Sequence, residues 1–272
     1  MKTYLLAIDC QNDFAANGAN SNGYKGSLYV QGADKDMENL STMVKRLGKK
    51  IKRITSTLDM HRTMQVFHPC FWTSSSGKSP NPFTIISVSD VEKGIWRTSI
   101  PTLQTKAVEY VRKLAAAGGK YPLCIWPYHC RIGHVGSNVV PCFQEALFGW
   151  ENETKGWVDY CTKGDFYLSE HYGALRAEVE YPEEPATMLN TRLVDSLITA
   201  DLLLIGGEAL SHCIKSTVEQ VAEAFGDDNI KKFCLLSDCC SSVTGYEKNG
   251  SDFVNAMVKR GMQTAKSTEV LA

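Results

Sequence analysis

Residues 200–217 read ADLLLIGGEALSHCIKST, and the pattern of this segment changes halfway along. Residues 200–207 form an apolar run that ends in two glycines, which is typical of a buried strand followed by a sharp turn. From 211 to 226 the apolar side chains recur every three to four residues, which is the period of a helix. The segment therefore predicts a strand, a turn and a helix, with Cys213 near the first turn of that helix.

The same succession of strand and helix recurs along the chain. Apolar runs and helical spacing predict strands at 3–9, 51–59, 157–163 and 231–238, and helices at 35–50, 100–119, 186–198 and 251–261. Strands that are apolar on both faces and alternate with helices form parallel sheets covered on both sides. We therefore expect an α/β fold of three layers, αβα, in a single domain over 1–272. A polar, Ser- and Pro-rich stretch opens an elaboration of this domain at about 73–120.

The composition limits the classes of function. A formal net charge of -1 over 272 residues gives no electrostatic footprint for nucleic acid. No apolar run approaches the ~18 residues that span a bilayer, so we expect no membrane segment and a cytoplasmic protein. The chain has ten cysteines but no C-x-x-C pair, and disulfide frameworks belong to short secreted chains. A functional cysteine must therefore be identified from its surroundings.

Reactive side chains follow the ends of several predicted strands. Asp9 ends the first strand, Asp59 ends the second with His61 just beyond it, and Lys163 ends a third. Cys213 follows a fourth strand after a short turn. Because ligands of parallel α/β sheets bind beyond the carboxyl ends of the strands, we expect these side chains to share one site.

Cys213 taken alone is more simply explained as a buried structural residue, because free cysteine is among the most buried residue types. At a helix start, however, the backbone N–H groups favour an anion, which predicts a lowered thiol pKa and a place for an oxyanion. A nucleophilic thiol also needs a base and a nearby cation. Asp9 and Lys163 would supply them at the same edge of the sheet.

The histidines suggest a metal site. Asp59 and His61, one residue apart, can point the same way and bind one cation, and His129 could complete a set of three ligands that leaves positions open. His68 is a rival third ligand. A lone histidine is more often simply hydrogen-bonded, so the D-x-H pair is weak by itself.

Six segments together carry a more specific signal. They are LLAIDCQNDF (5–14), GSLYVQGA (26–33), STLDMH (56–61), WPYHC (126–130), CTKGDFYLSEHYGAL (161–175) and GGEALSHCIKST (206–217). In this order and spacing they resemble the motifs of the isochorismatase-like cysteine hydrolases, and most closely those of nicotinamidases and pyrazinamidases. The match extends over nearly the whole chain, and WPYHC with Gly136 downstream is its more specific part.

The resemblance implies an amidohydrolase that acts on a linear carbon–nitrogen amide bond, with nicotinamide as the expected substrate and NAD salvage as its context. It implies a catalytic triad of Asp9, Lys163 and Cys213. The N–H groups of Ala209 and Cys213 would form the oxyanion hole, and the peptide between Glu208 and Ala209 would be cis.

The resemblance also implies a divalent metal, with zinc expected and Mn²⁺, Fe²⁺ or Mg²⁺ as alternatives. The implied metal ligands are Asp59, His61 and His129. Phe14, Trp126 and His212 would line the pocket for a small-molecule amide, although core packing is an equal explanation for the first two. We expect the protein to form a homo-oligomer, and we expect no nucleic-acid or membrane partner.

The chain departs from the motifs at three places. His212 stands where nicotinamidases commonly have a tyrosine, Met60 stands in the middle of D-x-H in place of tryptophan, and the interval between Asp59 and His129 is long. Related cysteine hydrolases of another small amide, a carbamoyl or a ureido compound therefore remain alternatives. Further alternatives are a metallohydrolase that uses metal-bound hydroxide and a non-catalytic binding protein on the same fold.

Overall fold

A computed structural model describes residues 1–116 and 121–272. The strands, in chain order, are β1 (Thr3–Ile8), β2 (Ile51–Asp59), β3 (Trp72–Thr73), β4 (Ile85–Ile86), β5 (Arg97–Thr98), β6 (Leu123–Cys124), β7 (Asp159–Lys163), β8 (Leu202–Gly207), β9 (Phe233–Leu236) and β10 (Gln263–Ala265). The α-helices are α1 (Asn12–Ala15), α2 (Ala33–Leu47), α3 (Val88–Glu92), α4 (Gln104–Ala116), α5 (Pro141–Thr154), α6 (Thr191–Ile198), α7 (Lys215–Phe225) and α8 (Glu247–Lys259).

The centre of the molecule is a six-stranded sheet in the order β10-β9-β8-β1-β2-β7, and every neighbouring pair is parallel. All six residues of β1 are buried, which explains why its sequence is apolar on both faces. Because crossovers between parallel strands are right-handed, the strand order places α2 and α5 on one face of the sheet and α6 and α7 on the other. Within each pair the helices pack on each other. The predicted three-layer α/β fold is confirmed.

The topology positions a site between β1 and β8. The chain leaves β1 through α2 toward β2, and it leaves β8 through α7 toward β9, on the opposite side. The order of the strands therefore reverses between these two neighbours. In doubly wound sheets ligands bind in the crevice outside the carboxyl ends at such a reversal.

Several element bounds differ from the sequence prediction. The predicted helix at 100–119 is a short 3-10 helix, Pro101–Leu103, followed by α4, and its predicted end at Gly118 lies outside the described residues. The predicted helix at 211–226 begins as a π-helical turn, Leu210–Ile214, so Cys213 lies in that turn and not in the first turn of an α-helix. Helix α5 was not predicted, although its buried side chains recur at helical spacing after Pro141.

Among the described residues, the stretch predicted to be an elaboration contributes to two small antiparallel ribbons, β3 with β5 and β4 with β6, and contains the packed helices α3 and α4. Ser87 and Asp90 form a capping box at the start of α3. The segment also carries Phe83, whose ring lies edge-on against Trp126 with centroids 5.8 Å apart. Among the helices of the described ranges, none is long and apolar enough to cross a membrane.

Candidate active site

Asp9 lies directly after β1 with a left-handed backbone (φ 48°), and its side chain is fully buried. The hydroxyl of Thr57, on β2, donates a hydrogen bond of 2.6 Å to Asp9 Oδ1. The Asp9 N–H in turn donates to the Thr57 carbonyl at 3.2 Å. The neighbouring strand therefore fixes the carboxylate of Asp9 at the carboxyl edge of the sheet.

Lys163, the last residue of β7, reaches the same point and is only 4% exposed. Its Nζ lies 2.9 Å from Asp9 Oδ2, contacts Asp59 Oδ1, and donates to the His171 carbonyl at 2.9 Å. Burial alone would lower the pKa of this ammonium, but the carboxylates of Asp59 and Asp9 raise it well above its usual value. Lys163 is therefore a permanent cation between two buried acids.

Cys213 completes the group, with Sγ 3.8 Å from Lys163 Nζ. The expectation of a lowered thiol pKa is wrong in this structure. Burial, together with the carboxylates of Asp9 and Asp59, raises the pKa of the Cys213 thiol well above its usual value, although Lys163 opposes them. The thiol therefore keeps its proton at neutral pH and needs a base to remove it.

Asp9 is suited to be that base. Burial raises the pKa of its carboxyl group, and Lys163 pulls the pKa in the opposite direction. A carboxylate whose pKa is raised accepts a proton more readily, which suits a general base. The structure thus brings together the three side chains predicted for the triad, Asp9, Lys163 and Cys213.

A second group of side chains lies beside the triad. One possible ligand atom each from Asp59, His61 and His129 lies within 4.8 Å of the others, and all three residues are buried. Nδ1 of His61 faces the Gly164 carbonyl at 3.0 Å, and Nδ1 of His129 faces the Pro127 carbonyl at 2.8 Å. This arrangement leaves Nε2 of each ring to serve as a metal ligand.

The local backbone explains how this second group assembles. The His61 N–H donates to the Cys130 carbonyl at 2.9 Å, which ties the WPYHC segment to the end of β2 and brings His129 alongside. Gly164 leaves the necessary room, because a Cβ there would lie 2.6 Å from His61 Cε1. His68 lies next to the set, with its ring centroid 5.7 Å from that of His129, but it is not a member of the set.

A cavity opens over Cys213, and five of its eleven lining residues carry aromatic rings. Its lining residues are Phe14, Leu28, Asp59, Trp126, His129, Glu170, Tyr172, Ala209, His212, Cys213 and Val243. They include the three residues predicted to bind substrate, Phe14, Trp126 and His212, and the predicted oxyanion pair, Ala209 and Cys213. The peptide between Glu208 and Ala209 is cis, as the resemblance implies.

His212 lies within a cluster of aromatic rings. Tyr121 stacks on it with centroids 5.3 Å apart, and Trp126, Tyr172 and Tyr246 lie within 5.3 Å. Burial lowers the pKa of His212 to about 3, so its imidazole is neutral. A neutral imidazole at this position can form hydrogen bonds in the cavity without adding a charge to it.

Sequence reasoning missed two contributors to the site. Thr57 holds Asp9 in place, yet a threonine within an apolar strand carries no signal beyond strand propensity. The His171 carbonyl holds Lys163, and a backbone group has no signature in the sequence at all. Glu170, which lies within the CTKGDFYLSEHYGAL segment, is buried, and burial raises the pKa of its carboxyl group to about 7.

Comparison with known proteins shows what the chain is similar to. No protein-family model and no curated protein matches it. Among solved structures, a nicotinamidase–pyrazinamidase of Acinetobacter baumanii superposes with a TM-score of 0.65 at 16% identity, covering 99% of this chain and 98% of the other.

Two further structures show the same likeness. A pyrazinamidase of Pyrococcus horikoshii in complex with zinc superposes with a TM-score of 0.55 at 14% identity, covering 98% of this chain and 99% of the other. An isochorismatase family protein from Desulfovibrio vulgaris superposes with a TM-score of 0.53 at 14% identity, covering 98% and 95%. The chain therefore has the isochorismatase-like fold, which it shares with solved nicotinamidases and pyrazinamidases.

Proposed function

We propose that this protein is an amidohydrolase that converts nicotinamide to nicotinate and ammonia, a reaction of NAD salvage, through a thioester on Cys213. The observation that carries the proposal is the buried contact of Lys163 with Asp9 and Cys213 beneath an aromatic cavity. A scaffold protein has no need to bury a base, a cation and a thiol at one point, where unpaired charges are costly.

In the first half of the reaction Asp9 takes the proton of the Cys213 thiol, and the sulfur attacks the amide carbonyl carbon. The N–H groups of Ala209 and Cys213 stabilise the oxyanion, and losing one such donor typically lowers the rate by about 10²–10³. Asp9 then gives the proton to the nitrogen of the breaking C–N bond, and ammonia leaves. Lys163 keeps its charge throughout and stabilises both anions.

In the second half water cleaves the thioester. Asp9 accepts one proton from the attacking water, the carbon–sulfur bond breaks, and the proton returns to the thiolate of Cys213. The products are a free carboxylic acid, ionised at neutral pH, and the regenerated thiol. Each step moves one proton between Asp9 and a group in contact with the triad.

The residues beside the triad fit a resident divalent metal. Nε2 of His61 is buried without a hydrogen-bond partner among the described residues, and it lies 3.4 Å from Asp59 Oδ2. Burial lowers the pKa of His129 to about 4, so this ring is neutral, as a ligand must be. Asp59, His61 and His129 would hold the metal, and zinc suits one carboxylate and two imidazoles. When bound, such a metal would supply a Lewis acid that could orient a substrate with a ring nitrogen.

The nucleophile is tested by Cys213→Ala, with ammonia release from nicotinamide as the assay. We expect activity to fall by on the order of 10⁴-fold or more, because the thioester cannot form. The control is Cys142→Ala, which removes a partly buried thiol on α5 and should leave turnover unchanged. Full turnover by a folded Cys213→Ala protein would refute the proposal.

The metal ligands are tested by His129→Ala, with bound metal measured by atomic emission. We expect lower metal content and a higher KM, because the metal orients the substrate and does not form the thioester. Full metal occupancy after this change would mean that the third ligand is another residue, with His68 the next candidate.

Substrate screening and alkylation distinguish the alternative functions. A panel of small amides, carbamoyl and ureido compounds distinguishes nicotinamide from other substrates of the same triad. Alkylation of Cys213 would leave a metallohydrolase active but would inactivate a cysteine hydrolase. A binding protein on this fold would release ammonia from none of the compounds.

A further inference from the structure

A second, larger cavity of about 550 Å³ lies behind the triad. Lys163 and His171 line it, and within the described residues it shares no lining residue with the cavity over Cys213. Its volume lies in the range of about 300–1,000 Å³ that is usual for small-molecule sites. Nothing in the proposed reaction uses this space.

The walls of this rear cavity combine apolar surface with a buried polar group that lacks a partner. Met60, Phe166, Leu175 and Met188 supply apolar surface. His171 is 7% exposed, and its Nε2 is buried without a hydrogen-bond partner in the described part of the chain. Buried polar atoms in proteins are nearly always hydrogen-bonded, so an unpaired one beside a cavity indicates a missing partner. Burial lowers the pKa of His171 to about 3, so the ring is neutral.

Of the charged side chains that line the rear cavity, Arg192 is the one without an ion-pair partner among the described residues. Helix α6 begins there, capped by Asn190, whose side chain accepts the Leu193 N–H at 3.0 Å. Arg192 is exposed on the first turn of this helix, where N–H groups without intrahelical acceptors favour anions. Asp165 also lines the cavity, but it is already paired with Arg62 at 2.6 Å.

We propose that the rear cavity binds a small carboxylate with an apolar or aromatic body. The carboxylate would lie between the Arg192 guanidinium and the start of α6, and the body would pack against Met60 and Leu175. A polar atom of the ligand would supply the partner that His171 lacks. Binding in this form is independent of the reaction proposed above.

Occupancy of the rear cavity should alter turnover, and this part rests on the proposed function. The His171 carbonyl accepts a hydrogen bond from Lys163 Nζ at 2.9 Å. A ligand that hydrogen-bonds to the His171 ring therefore contacts the residue whose carbonyl holds the catalytic cation. The ligand has two possible sources, the carboxylate product of the enzyme itself or an unrelated carboxylate.

The test is calorimetric titration of the full chain with nicotinate, benzoate and inorganic phosphate. We expect two binding events for the aromatic carboxylates, one in each cavity, and no event for phosphate behind the triad. Arg192→Glu should remove one event and leave the other, and it should fold, because glutamate is favourable in a first helical turn. Arg97→Glu, a charge reversal at an exposed arginine of the elaboration, should leave both events unchanged.

The titrations distinguish the rear-cavity proposal from the proposed reaction. Unchanged titration of Arg192→Glu, or phosphate binding that Arg192→Glu abolishes, would overturn the proposed site. The binding event that Arg192→Glu removes is the one in the rear cavity. If nicotinate binds there about tenfold more tightly than benzoate, the ligand is the product of the enzyme itself. If the two bind with equal affinity, the cavity is a general carboxylate site. If the wild-type protein releases no ammonia from nicotinamide, the proposed reaction fails while the binding result stands. In an active enzyme, benzoate should change kcat for the wild type and for Arg97→Glu but not for Arg192→Glu.

Discussion

Replacing Lys163 with methionine removes the ammonium from between two buried carboxylates. At 2.9 Å the attraction between Lys163 and Asp9 is about 6 kcal/mol if an effective dielectric constant of ~20 applies. Part of this is offset because burying the two charges costs hydration, and breaking a buried pair by losing one partner typically costs about 3–5 kcal/mol. We therefore expect Lys163→Met to lower the free energy of unfolding by about 3–5 kcal/mol. Ammonia release should be lost as well.

The cause is isolated by a double-mutant cycle with Asp9→Asn, measured by urea unfolding under circular dichroism. A chelator is present throughout, so that a metal does not compensate Asp59. Because Asp9→Asn removes one of the orphaned charges, the double variant should be more stable than the sum of the single effects predicts, by about 1–3 kcal/mol. Lys45→Met, at an exposed position of α2, should change stability by no more than about 0.5 kcal/mol. Additive single effects, within about 0.5 kcal/mol, would refute the reasoning.

Three further outcomes follow from particular contacts. Thr57→Val should cost about 1.5–3 kcal/mol in urea unfolding, because the buried carboxylate loses its hydroxyl donor, and Thr57→Ser should restore most of it. Burial holds the pKa of Glu208 well above its usual value, so the folded protein binds a proton that the unfolded chain releases above about pH 4.5, and this group by itself should lower stability by about 1.4 kcal/mol per pH unit from there. Glu208→Gln should lack this slope, and parallel unfolding profiles at pH 5 to 7 for the two proteins would contradict the assignment. Gly207→Ala should leave little folded protein in a thermal melt, because its Cβ would lie 1.9 Å from the Ile8 carbonyl oxygen, whereas Gly245→Ala, in open space, should cost about 1 kcal/mol.

The fold and the converging triad could be predicted because they depend on local patterns. Apolar runs marked five of the six central strands, and in a parallel sheet the residue that ends each strand must lie at one edge. The strand that was missed, β10, is three residues long and largely exposed, so it has no apolar run to detect. The buried side chains of α5 recur at helical spacing, but polar and charged residues among them make this pattern hard to detect in the sequence.

The electrostatics of the site could not be predicted in the same way. The start of a helix at Cys213 suggested a lowered thiol pKa, but the thiol pKa depends on total burial and on two carboxylates from distant strands. Likewise Asp36 and Glu208, far apart in the sequence, both contact Ser241 through hydrogen bonds of 2.5 and 3.4 Å. Burial and long-range partners of this kind depend on the assembled structure and not on spacing along the chain.

The position of Lys163 on β7 has a consequence for how the protein loses activity. Asp9, Asp59 and Cys213 stand on or after inner strands of the sheet, whereas β7 is its outermost strand on that side and pairs with β2 alone. Edge elements exchange their amide hydrogens through local openings that require less free energy than global unfolding. Warming or mild denaturant should therefore detach β7 before the inner strands, so that the enzyme is inactivated while β2, β1, β8 and β9 are still folded.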